Sequence, residues 1–447
     1  MKVCFGEKRA GSLVFLALLT AGSAWCQEDL TLDEAVALAI RGNRQIRAAH
    51  LEVAKSEDAV TVARTYRLPS FRFNLLELQP LRPISFNFPT GSLGTFAATG
   101  PIPAVDTSIK SPYRPATLAL ASADQPLTQL RRIRIGIKLQ DLNRQLALQR
   151  LHAQEQEVAF NVRKAYFNLL QTQSALDATV EALKLFREVE RVAKESLAQQ
   201  AVLQGDVLEV QTRVAQAELD ELTLRNGLLT VQGQINALVG RPLETSFRAV
   251  AIAEPVKQAD MDAGAALARA LLQRPELAEA RLKVQQAEQD RELKKAEALP
   301  DLSLTVDYLG LGAVRFLPSN TAVVGLAMNW NVFDWGRRKA ELASKEKTVE
   351  QARVAVSETE AQIQLQVDAE RRKLEEGGAR LKVSDLSRKT AAEKLRVVLN
   401  KQQEQASLVK DVLQMQAALA EANHRYQTDL LAFWTAGAEF QRALGER

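Results

Sequence analysis

Thiols and imidazoles are almost missing from this chain. The only two cysteines, Cys4 and Cys26, lie within the first 26 of 447 residues. A disulfide framework, a cysteine-ligated metal and a catalytic cysteine are therefore excluded for the rest of the chain. The three histidines, His50, His152 and His424, are far apart in sequence. A metal held by several histidines is not expected, and no cofactor is predicted.

A large excess of either charge is missing too. The 58 basic and 54 acidic residues leave a formal net charge of +4, whereas nucleic-acid binding requires a concentrated basic face. Nucleic acid is therefore not a predicted partner. The phosphate-binding glycine loop, the HExxH pair and the GxSxG turn do not occur in the sequence. Paired carboxylates are abundant, but on charged helices they are more often solvated than catalytic, so the chain is not predicted to be an enzyme.

The first 26 residues have the organisation of an export signal. Basic residues, a short apolar run and a stretch of small residues follow one another there. The apolar run is too short to span a bilayer. Cleavage after Ala24 and cleavage after Cys26 are both open. A lipid on Cys26 is a further alternative, although the bulky Trp25 fits a lipoprotein cleavage site poorly. We predict a signal peptide over residues 1–26 and an exported, nearly neutral mature chain.

The mature chain resembles itself at fixed offsets. The stretch that begins at Leu30 aligns without a gap on the stretch that begins at Met261, and the stretch at Ala201 aligns on the stretch at Ala406. Such self-similarity is typical of duplicated architectures. The sequence therefore predicts two tandem repeats of one unit with a linker between them. The two units and the linker are residues 27–238, 263–447 and 239–262.

Each repeat has the same predicted order of elements: helix, strand, strand, very long helix, helix. The opening helix carries apolar residues at spacings of three, four and seven. After Pro69 and Pro300 the period changes to two, which predicts strands with one apolar and one polar face. The predicted strands cover about residues 69–78, 117–127, 300–309 and 321–334, and the connecting loops cover 79–116 and 310–320.

Helix-breaking residues are scarce in two long segments. From about Arg131 to Gln200, and from about Arg337 to Gln405, there is no proline, and glycine is confined to three positions. The apolar residues recur at coiled-coil spacing. Helices of this length extend roughly 100 Å at 1.5 Å per residue. The predicted fold class is therefore mostly α with a small antiparallel β part.

Four strands per chain are too few to close a membrane barrel, since the smallest have about eight. An open sheet would expose unpaired edges to hydrocarbon, which lipid does not tolerate. Three identical chains would pair every edge in a 12-stranded barrel and arrange their long helices as a hollow cylinder. Association of identical chains in contact with membrane lipid is predicted on this basis.

Several short motifs in a fixed order carry a family resemblance. They are LDEAVALAIRGN at Leu32, QPL at Gln125, RPEL at Arg274, VFDWGRRKAEL at Val332, and DVL at Asp206 and Asp411. The whole mature chain resembles the TolC-type outer membrane efflux proteins. The resemblance implies a homotrimeric β-barrel in the outer membrane, continued by an α-helical tunnel in the periplasm. It also implies a passive duct that receives substrate from an inner membrane transporter through a periplasmic adaptor (membrane fusion) protein, in efflux or type I secretion.

The resemblance further implies a constriction at the turns between paired helices. By position, Asp411 faces its symmetry mates there, and three crowded carboxylates would repel one another and attract cations. Gln414 stands where a family member carries a second aspartate, and Ser407 where it carries a basic residue. Asp206 and Ser407 are the predicted contacts between neighbouring turns. For Asp411, a solvated carboxylate at a helix start is the alternative.

Three residues near the last predicted strand are candidates for the membrane boundary. Trp330 and Trp335, about 17 Å apart at roughly 3.4 Å per residue of strand, belong either to an interfacial aromatic belt or to an ordinary core or subunit interface. Gly336 is predicted at the strand-to-helix turn because it lacks a β-carbon and adopts positive φ, the alternative being a simple loop glycine.

Two alternatives stay open. The first strand-to-strand loop holds seven of the fourteen prolines and either restricts the external mouth or is disordered. The alternative function is a periplasmic or secreted coiled-coil scaffold without a pore. A scaffold accounts for the signal and the helices but not for two-faced strands at matching positions in both repeats.

Overall fold

The computed structural model describes residues 28–79, 81–83, 85–110, 115–200, 202–252, 262–312, 320–403 and 409–446. The predicted signal peptide lies outside these residues. The first half of the chain contains β1 (Glu28–Leu30), α1 (Leu32–Gly42), α2 (Arg44–Thr65), β2 (Ser70–Leu78), β3 (Ser85–Phe88), β4 (Thr95–Phe96), β5 (Gly100–Pro101), β6 (Thr107–Lys110), β7 (Ala116–Pro126), α3 (Leu130–Ala198) and α4 (Gln204–Val239). The second half contains β8 (Phe247–Ala249), α5 (Ala263–Gln273), α6 (Pro275–Ala296), β9 (Asp301–Leu311), β10 (Asn320–Asn329), α7 (Arg337–Gln403) and α8 (Val409–Ala443).

The helices of the two halves correspond in order and in length. The short helices α1 and α5 have 11 residues each, and α2 and α6 have 22 each. The long helices α3 and α7 have 69 and 67 residues, and α4 and α8 have 36 and 35. The chain is mostly helical with small antiparallel sheets, as predicted. Among the described helices, none combines the length and the apolar character that a membrane crossing needs.

The single opening helix predicted for each half is wrong, because two helices stand there. Asn43 separates α1 from α2 with an extended backbone, and its Oδ1 accepts the backbone N–H groups of Gln45 and Ile46 at 2.8 and 3.3 Å. Arg274 separates α5 from α6 with an extended backbone but without a side-chain cap, and it precedes Pro275, a position where the α conformation is disfavoured. The apolar stripe runs across both breaks, so periodicity alone did not reveal them.

Four strands form one antiparallel sheet in the order β10-β9-β7-β2. Phe73 lies opposite Ala121, which in turn lies opposite Tyr308, and Val306 lies opposite Val324. Within the described part of the chain, β2 and β10 each pair on one side only. The sheet therefore ends in two edges that present free backbone groups.

The second return strand is shorter than predicted. We expected it to reach residue 334, but β10 ends at Asn329. Asn329 lies opposite Asp301, the first residue of β9, and Asp301 follows Pro300, which has no N–H to donate. β9 has no residue before Asp301, so the residues after Asn329 have no strand to pair with, although their sequence continues to alternate.

Segments predicted as linker and loop contain further strands. Within the linker, β8 pairs in parallel with β1, at Leu30 and Ala249. This sheet has three residues per strand, too few for a periodicity signal. In the first strand-to-strand loop, β3 pairs with β6 and β4 pairs with β5, all antiparallel. The described residues of that loop therefore have regular structure.

The core lies where the short helices pack on the long ones. One cluster joins α1, α3, α4 and β8 and buries Val162, Tyr166, Ile235 and Phe247. A second joins α5, α6, α7 and α8 around Leu277, Val367 and Phe440. The helix α3 also packs against α8, where the rings of Phe167 and Trp434 lie 5.6 Å apart. The two halves thus form one continuous helical body below the sheet.

Candidate functional site

The first candidate region is the turn between α3 and α4. Asp206 lies in the first turn of α4, and its Oδ2 accepts the backbone N–H of Leu203 at 3.1 Å. This is one half of a capping box, because Leu203 has no side-chain acceptor to complete it. The Asp206 side chain is exposed. Asp206 therefore stabilises the start of its own helix, and its contact with a neighbouring turn stays a prediction.

The second turn, between α7 and α8, holds the predicted constriction residues. Asp411 lies in the first turn of α8 and is partly buried. Gln414 lies one turn further along the same helix and is exposed. Ser407 falls outside the described residues. The single chain places Asp411 and Gln414 together at one end of the long helices, as the repeat predicted for the DVL motifs.

One face of the four-stranded sheet is apolar and uncovered. Paired residues of antiparallel strands lie on the same face, so the register assigns its members. Between β2 and β9, the face is lined by the alanines of β7 at positions 119, 121 and 123. Its exposed large side chains are 38% to 78% exposed. They are Phe71, Phe73, Leu75, Leu304, Val306, Tyr308, Val324, Leu326 and Met328.

The opposite face carries polar and charged side chains, with some leucines toward the loop end. An ion pair crosses from β2 to β7 on this face, where Arg72 Nη2 lies 2.6 Å from Asp124 Oδ2. Asp307 lies on the same face, opposite Ser122. The alternation of the sequence predicted the polar side of the strand for Arg72 and Asp307, but it did not predict their role or the position of Asp124.

The connection from β10 to α7 is built around Asp334. Its carboxylate accepts the backbone N–H groups of Gly336 and Arg338, both at 3.2 Å, and the Arg338 Nε at 2.6 Å. The Arg338 hydrogen bond, with smaller help from the backbone donors, lowers the pKa of Asp334 below its usual range. Gly336 lies in this strand-to-helix connection with φ +85°, a conformation that glycine adopts without the penalty of a β-carbon.

Neither of the two candidate tryptophans lies on a strand. That part of the prediction is wrong, because β10 ends before Trp330 and Trp335 has φ +56° in the following turn. The separation of about 17 Å that we derived from a continuous strand therefore does not apply. Trp330 is 49% exposed and Trp335 is 80% exposed, with the Phe333 ring 4.5 Å from the Trp335 ring. Neither side chain is core, and their position at a membrane boundary stays a prediction.

A contact that the sequence did not reveal joins the helix breaks to the ends of α4 and α8. Asn43 Nδ2 donates to the carbonyl of Leu238 at 2.8 Å, and Arg274 Nη1 donates to the carbonyl of Ala443 at 3.3 Å. Position 274 follows 43 by the first repeat offset, 231, and 443 follows 238 by the second offset, 205. The same contact therefore occurs at matching positions of both halves, made by different side chains.

The described residues contain no group of three or more histidine, cysteine, aspartate or glutamate side chains suited to a metal ion. The main chemical features of these regions are therefore surfaces and turns: an uncovered apolar sheet face, a charged opposite face and acidic helix starts at the far end.

Comparison with solved structures identifies the fold. The chain is similar to a membrane protein of Pseudomonas aeruginosa, with 16% identity, TM-score 0.76, and 94% of this chain and 91% of that chain covered. It is similar to the outer membrane channel CmeC of Campylobacter jejuni, with 14% identity, TM-score 0.73 and coverages of 93% and 85%. It is also similar to the open outer membrane channel MtrE of Neisseria gonorrhoeae, with 17% identity, TM-score 0.71 and coverages of 93% and 89%. At these identities the likeness shows the fold alone.

Comparison at the level of sequence identifies the family. No curated protein sequence matches the chain. The profile of the family described as outer membrane efflux protein matches it over residues 35–241 and again over residues 266–446. These two matches together cover most of the chain and confirm the resemblance seen in its motifs. The chain therefore belongs to the outer membrane efflux protein family, with its sheet end at the outer membrane and its helical part in the periplasm.

Proposed function

We propose that three copies of this chain assemble into a passive exit duct across the outer membrane and the periplasm. Each protomer contributes four strands to a 12-stranded barrel and its long helices to a tunnel. An inner membrane transporter supplies the substrate, and a periplasmic adaptor protein joins that transporter to the helical end, in a tripartite efflux or type I secretion system.

The observation that carries this proposal is the four-stranded sheet. Its apolar face is uncovered, with Phe71 78% and Val324 72% exposed, and its two outer strands pair on one side only in the described chain. An apolar face of this size matches the outward band of a membrane barrel. Pairing β2 of one chain with β10 of the next would satisfy both edges. The polar face with Arg72 and Asp124 would then line the lumen.

We also infer that the two halves are copies of one ancestral unit. The matching helix lengths, the two matches to one family profile and the equivalent contacts of Asn43 and Arg274 support this inference. A duplicated unit in three copies would give the tunnel an approximate sixfold arrangement of helix pairs. The turns of α3–α4 and α7–α8 would then alternate around its periplasmic end.

The test is to measure mass and conductance on one purified sample. We expect native mass spectrometry of the detergent-solubilised protein to give three chains per particle, and planar bilayers to show ion-conducting channels. A soluble elongated monomer without conductance would favour the pore-less coiled-coil scaffold instead. Particles of three chains that conduct no ions would support the trimer but contradict its function as a duct.

A further inference from the structure

We propose that the strand-to-helix junction of each protomer binds the headgroups of anionic phospholipids in the periplasmic leaflet of the membrane. The junction is defined here as residues 64–70, 124–138, 294–301 and 329–341. This lipid-binding proposal rests on the proposed barrel, since only an embedded sheet brings the junction to a lipid surface. What points to it is an excess of positive charge beside exposed aromatic side chains.

The four segments of the junction meet at one end of the sheet, where β2 and β9 begin and β7 and β10 end. The Thr128 hydroxyl donates to the carbonyl of Pro300 at 2.7 Å and accepts the N–H of Leu302 at 2.8 Å, which holds the start of α3 against the start of β9. Gln125 Nε2 donates to the carbonyl of Arg67 at the end of α2, at 3.1 Å. Lys294 at the end of α6 pairs with Glu341 of α7 at 2.7 Å. The junction is therefore one continuous surface and not four separate segments.

Positive charge is concentrated on this surface. The junction contains eleven basic and five acidic residues, whereas the whole chain has a net charge of only +4. The opposite end of the sheet shows no such excess, since the described residues between 77 and 117 contain two basic residues, Arg82 and Lys110, and two acidic residues, Glu77 and Asp106. The basic residues of the junction are Arg64, Arg67, Arg131, Arg132, Arg134, Lys138, Lys294, Lys295, Arg337, Arg338 and Lys339.

The acidic residues of the junction already have basic partners. The five are Asp124, Glu297, Asp301, Asp334 and Glu341, and they pair with Arg72, Lys294, Arg132, Arg338 and again Lys294. Seven exposed basic residues of the junction make no ion pair within the part of the chain that the structure describes: Arg64, Arg67, Arg131, Arg134, Lys138, Arg337 and Lys339. Their charge is therefore available to a partner outside the protomer.

Local stability does not account for four of these residues, Arg131, Arg134, Arg337 and Lys339. Arg131, Arg337 and Lys339 lie in the first turns of α3 and α7, and Arg134 directly follows the first turn of α3. The helix dipole disfavours cations at helix starts, and neither first turn contains an acidic residue. Concentrated basic residues at a membrane surface are instead what attracts anionic lipid. The charge complementarity between these residues and a phosphate-bearing leaflet is the reason for assigning lipid as the partner.

Exposed apolar side chains surround the basic residues. Val332, Phe333 and Trp335 are 70%, 73% and 80% exposed, and they directly precede Arg337. Tyr66 and Leu68, 65% and 63% exposed, flank Arg67 on the neighbouring segment. Aromatic rings beside basic side chains are the composition found at the level of lipid headgroups. Both parts of the surface therefore fit the same partner.

The experiment compares lipid retention by four proteins in bilayers of equal parts phosphatidylcholine and phosphatidylglycerol. We expect the wild-type protein to retain phosphatidylglycerol over phosphatidylcholine at least about tenfold, by mass spectrometry of the lipids bound to purified particles. The quadruple variant R131Q/R134Q/R337Q/K339Q should lose most of this preference, while Arg64, Arg67 and Lys138 stay in place. The pair variant R131Q/R134Q should fall between these values, which keeps the test decisive if the quadruple variant does not fold.

The matched control removes four exposed basic residues from the helices far from the junction. R213Q/R372Q/K382Q/K394Q changes the net charge by the same amount, and Arg372 lies 35 residues into α7, roughly 50 Å from its start at 1.5 Å per residue. This control should keep the wild-type preference. Equal retention of both lipids by the wild type, or an unchanged preference in the junction variants, would overturn the inference.

The same samples separate this inference from the proposed function. Insertion and conductance in pure phosphatidylcholine depend on the sheet and not on the junction charges, so failure there counts against the duct. Normal conductance without a lipid preference counts against the lipid site alone. An excess of inorganic phosphate should leave the bound phosphatidylglycerol in place, because the aromatic contacts require an acyl chain; displacement by phosphate would overturn the assignment to lipid.

Discussion

At the scale of single residues, buried polar groups have structural roles that the sequence does not reveal. Tyr166 is fully buried, and its hydroxyl lies 2.8 Å from the carbonyl of Leu30 and 2.7 Å from that of Val250. Burial raises the pKa of Tyr166 to about 12, so the hydroxyl remains a donor at any physiological pH. It ties the small β1–β8 sheet to the middle of α3.

Asn43→Ala should destabilise the protein by about 2–4 kcal/mol. The substitution removes the cap of α2, worth about 0.5–2 kcal/mol, and leaves the partly buried carbonyl of Leu238 without its donor, which costs about 1–3 kcal/mol. Chemical denaturation of the purified protein measures the loss. Asn226→Ala, at an exposed position in α4, should change stability by less than about 0.5 kcal/mol. Equal effects of the two substitutions would contradict the role given to Asn43.

Glu370→Gln should stabilise the protein at neutral pH but not at pH 4. The Glu370 Oε2 atom is buried without a hydrogen bond, and Lys373 Nζ lies 3.7 Å away. Burial is the main cause that raises the pKa of Glu370, and the carboxylate of Glu439 adds to it. The pKa is thus higher in the folded than in the unfolded state. The stability that protonated Glu370 contributes is therefore present at low pH and lost as the pH rises through the folded-state pKa.

Thermal unfolding between pH 4 and pH 8 measures this difference. The midpoint of the glutamine variant should exceed that of the wild type increasingly as the pH rises. Glu375→Gln, whose side chain is 74% exposed on the same helix, serves as control. Parallel pH profiles for wild type and Glu370→Gln would show that the buried carboxylate carries no such penalty.

At the scale of elements, the long helices contain local weaknesses that packing tolerates. Gly377 and Gly378 lie inside α7 against the ring of Phe433. A β-carbon added at either position would meet Phe433 atoms at 3.5 to 3.6 Å, which is ordinary van der Waals contact. The pair therefore has no steric requirement for glycine and does not mark a turn.

Gly377→Ala and Gly378→Ala should each stabilise the protein by about 0.5–1 kcal/mol, because alanine has the higher helix propensity. Thermal unfolding followed by circular dichroism measures the gain. Gly42→Ala is the opposite case, since its new β-carbon would lie 2.3 Å from the carbonyl oxygen of Val239, and it should destabilise. A loss of stability in the α7 variants would indicate that the helix needs to bend at this pair.

The two faces of the sheet should respond differently to an added charge. Phe73→Arg places a cation on the apolar face near the middle of β2, which costs about 2–4 kcal/mol per protomer at the bilayer midplane. Asn74→Arg places the same cation on the opposite face, where we expect normal insertion. The inserted fraction in liposomes distinguishes them. Similar insertion of both variants would contradict the assignment of the apolar face to lipid.

The sequence predicted regular, repeated elements well and irregular ones poorly. The predicted bounds of α3 differ from the structure by at most two residues, because a segment without proline and with one apolar stripe has few alternatives. The break at Asn43 was missed because Ile46 continues the stripe beyond it. The end of β10 was missed because Val332 continues the alternation. Its antiparallel partner β9 has no residue before Asp301, so β10 has nothing to pair with beyond Asn329. The sequence of one strand does not show where its neighbour ends.

The candidate site was predictable where it depends on the repeat and not where it depends on contacts. The offset of 205 between Asp206 and Asp411 placed both at helix starts. The bond from the Leu203 N–H to Asp206 and the pairing of Arg72 with Asp124 required the geometry of a turn and of a strand register. Neither geometry is contained in the spacing of residues along the chain.

At the scale of the whole molecule, threefold assembly turns single residues into rings. Asp411 is one partly buried carboxylate in the protomer, but in the proposed trimer three copies converge on the axis. Repulsion among them would favour a bound cation. The predicted constriction is therefore a property of the assembly and not of the chain.

Asp411→Ala should raise the single-channel conductance in planar bilayers and reduce block by divalent cations from the periplasmic side. Removing three carboxylates would widen the predicted constriction and remove the cation site that we expect there. Glu421→Gln, ten residues further along α8 and exposed, should leave both properties unchanged. Unaltered conductance and unaltered block in Asp411→Ala would support the alternative of a solvated carboxylate at a helix start.

The two single-sided strands of the sheet also bear on how the complex is built. A lone protomer has two open strand edges, and an open dimer still has two, so adding a second copy does not reduce their number. Only ring closure by the third copy removes both at once. Assembly should consequently pass from separate chains to closed rings without accumulating dimers. If the third chain were added slowly, dimers with open strand edges would persist and aggregate.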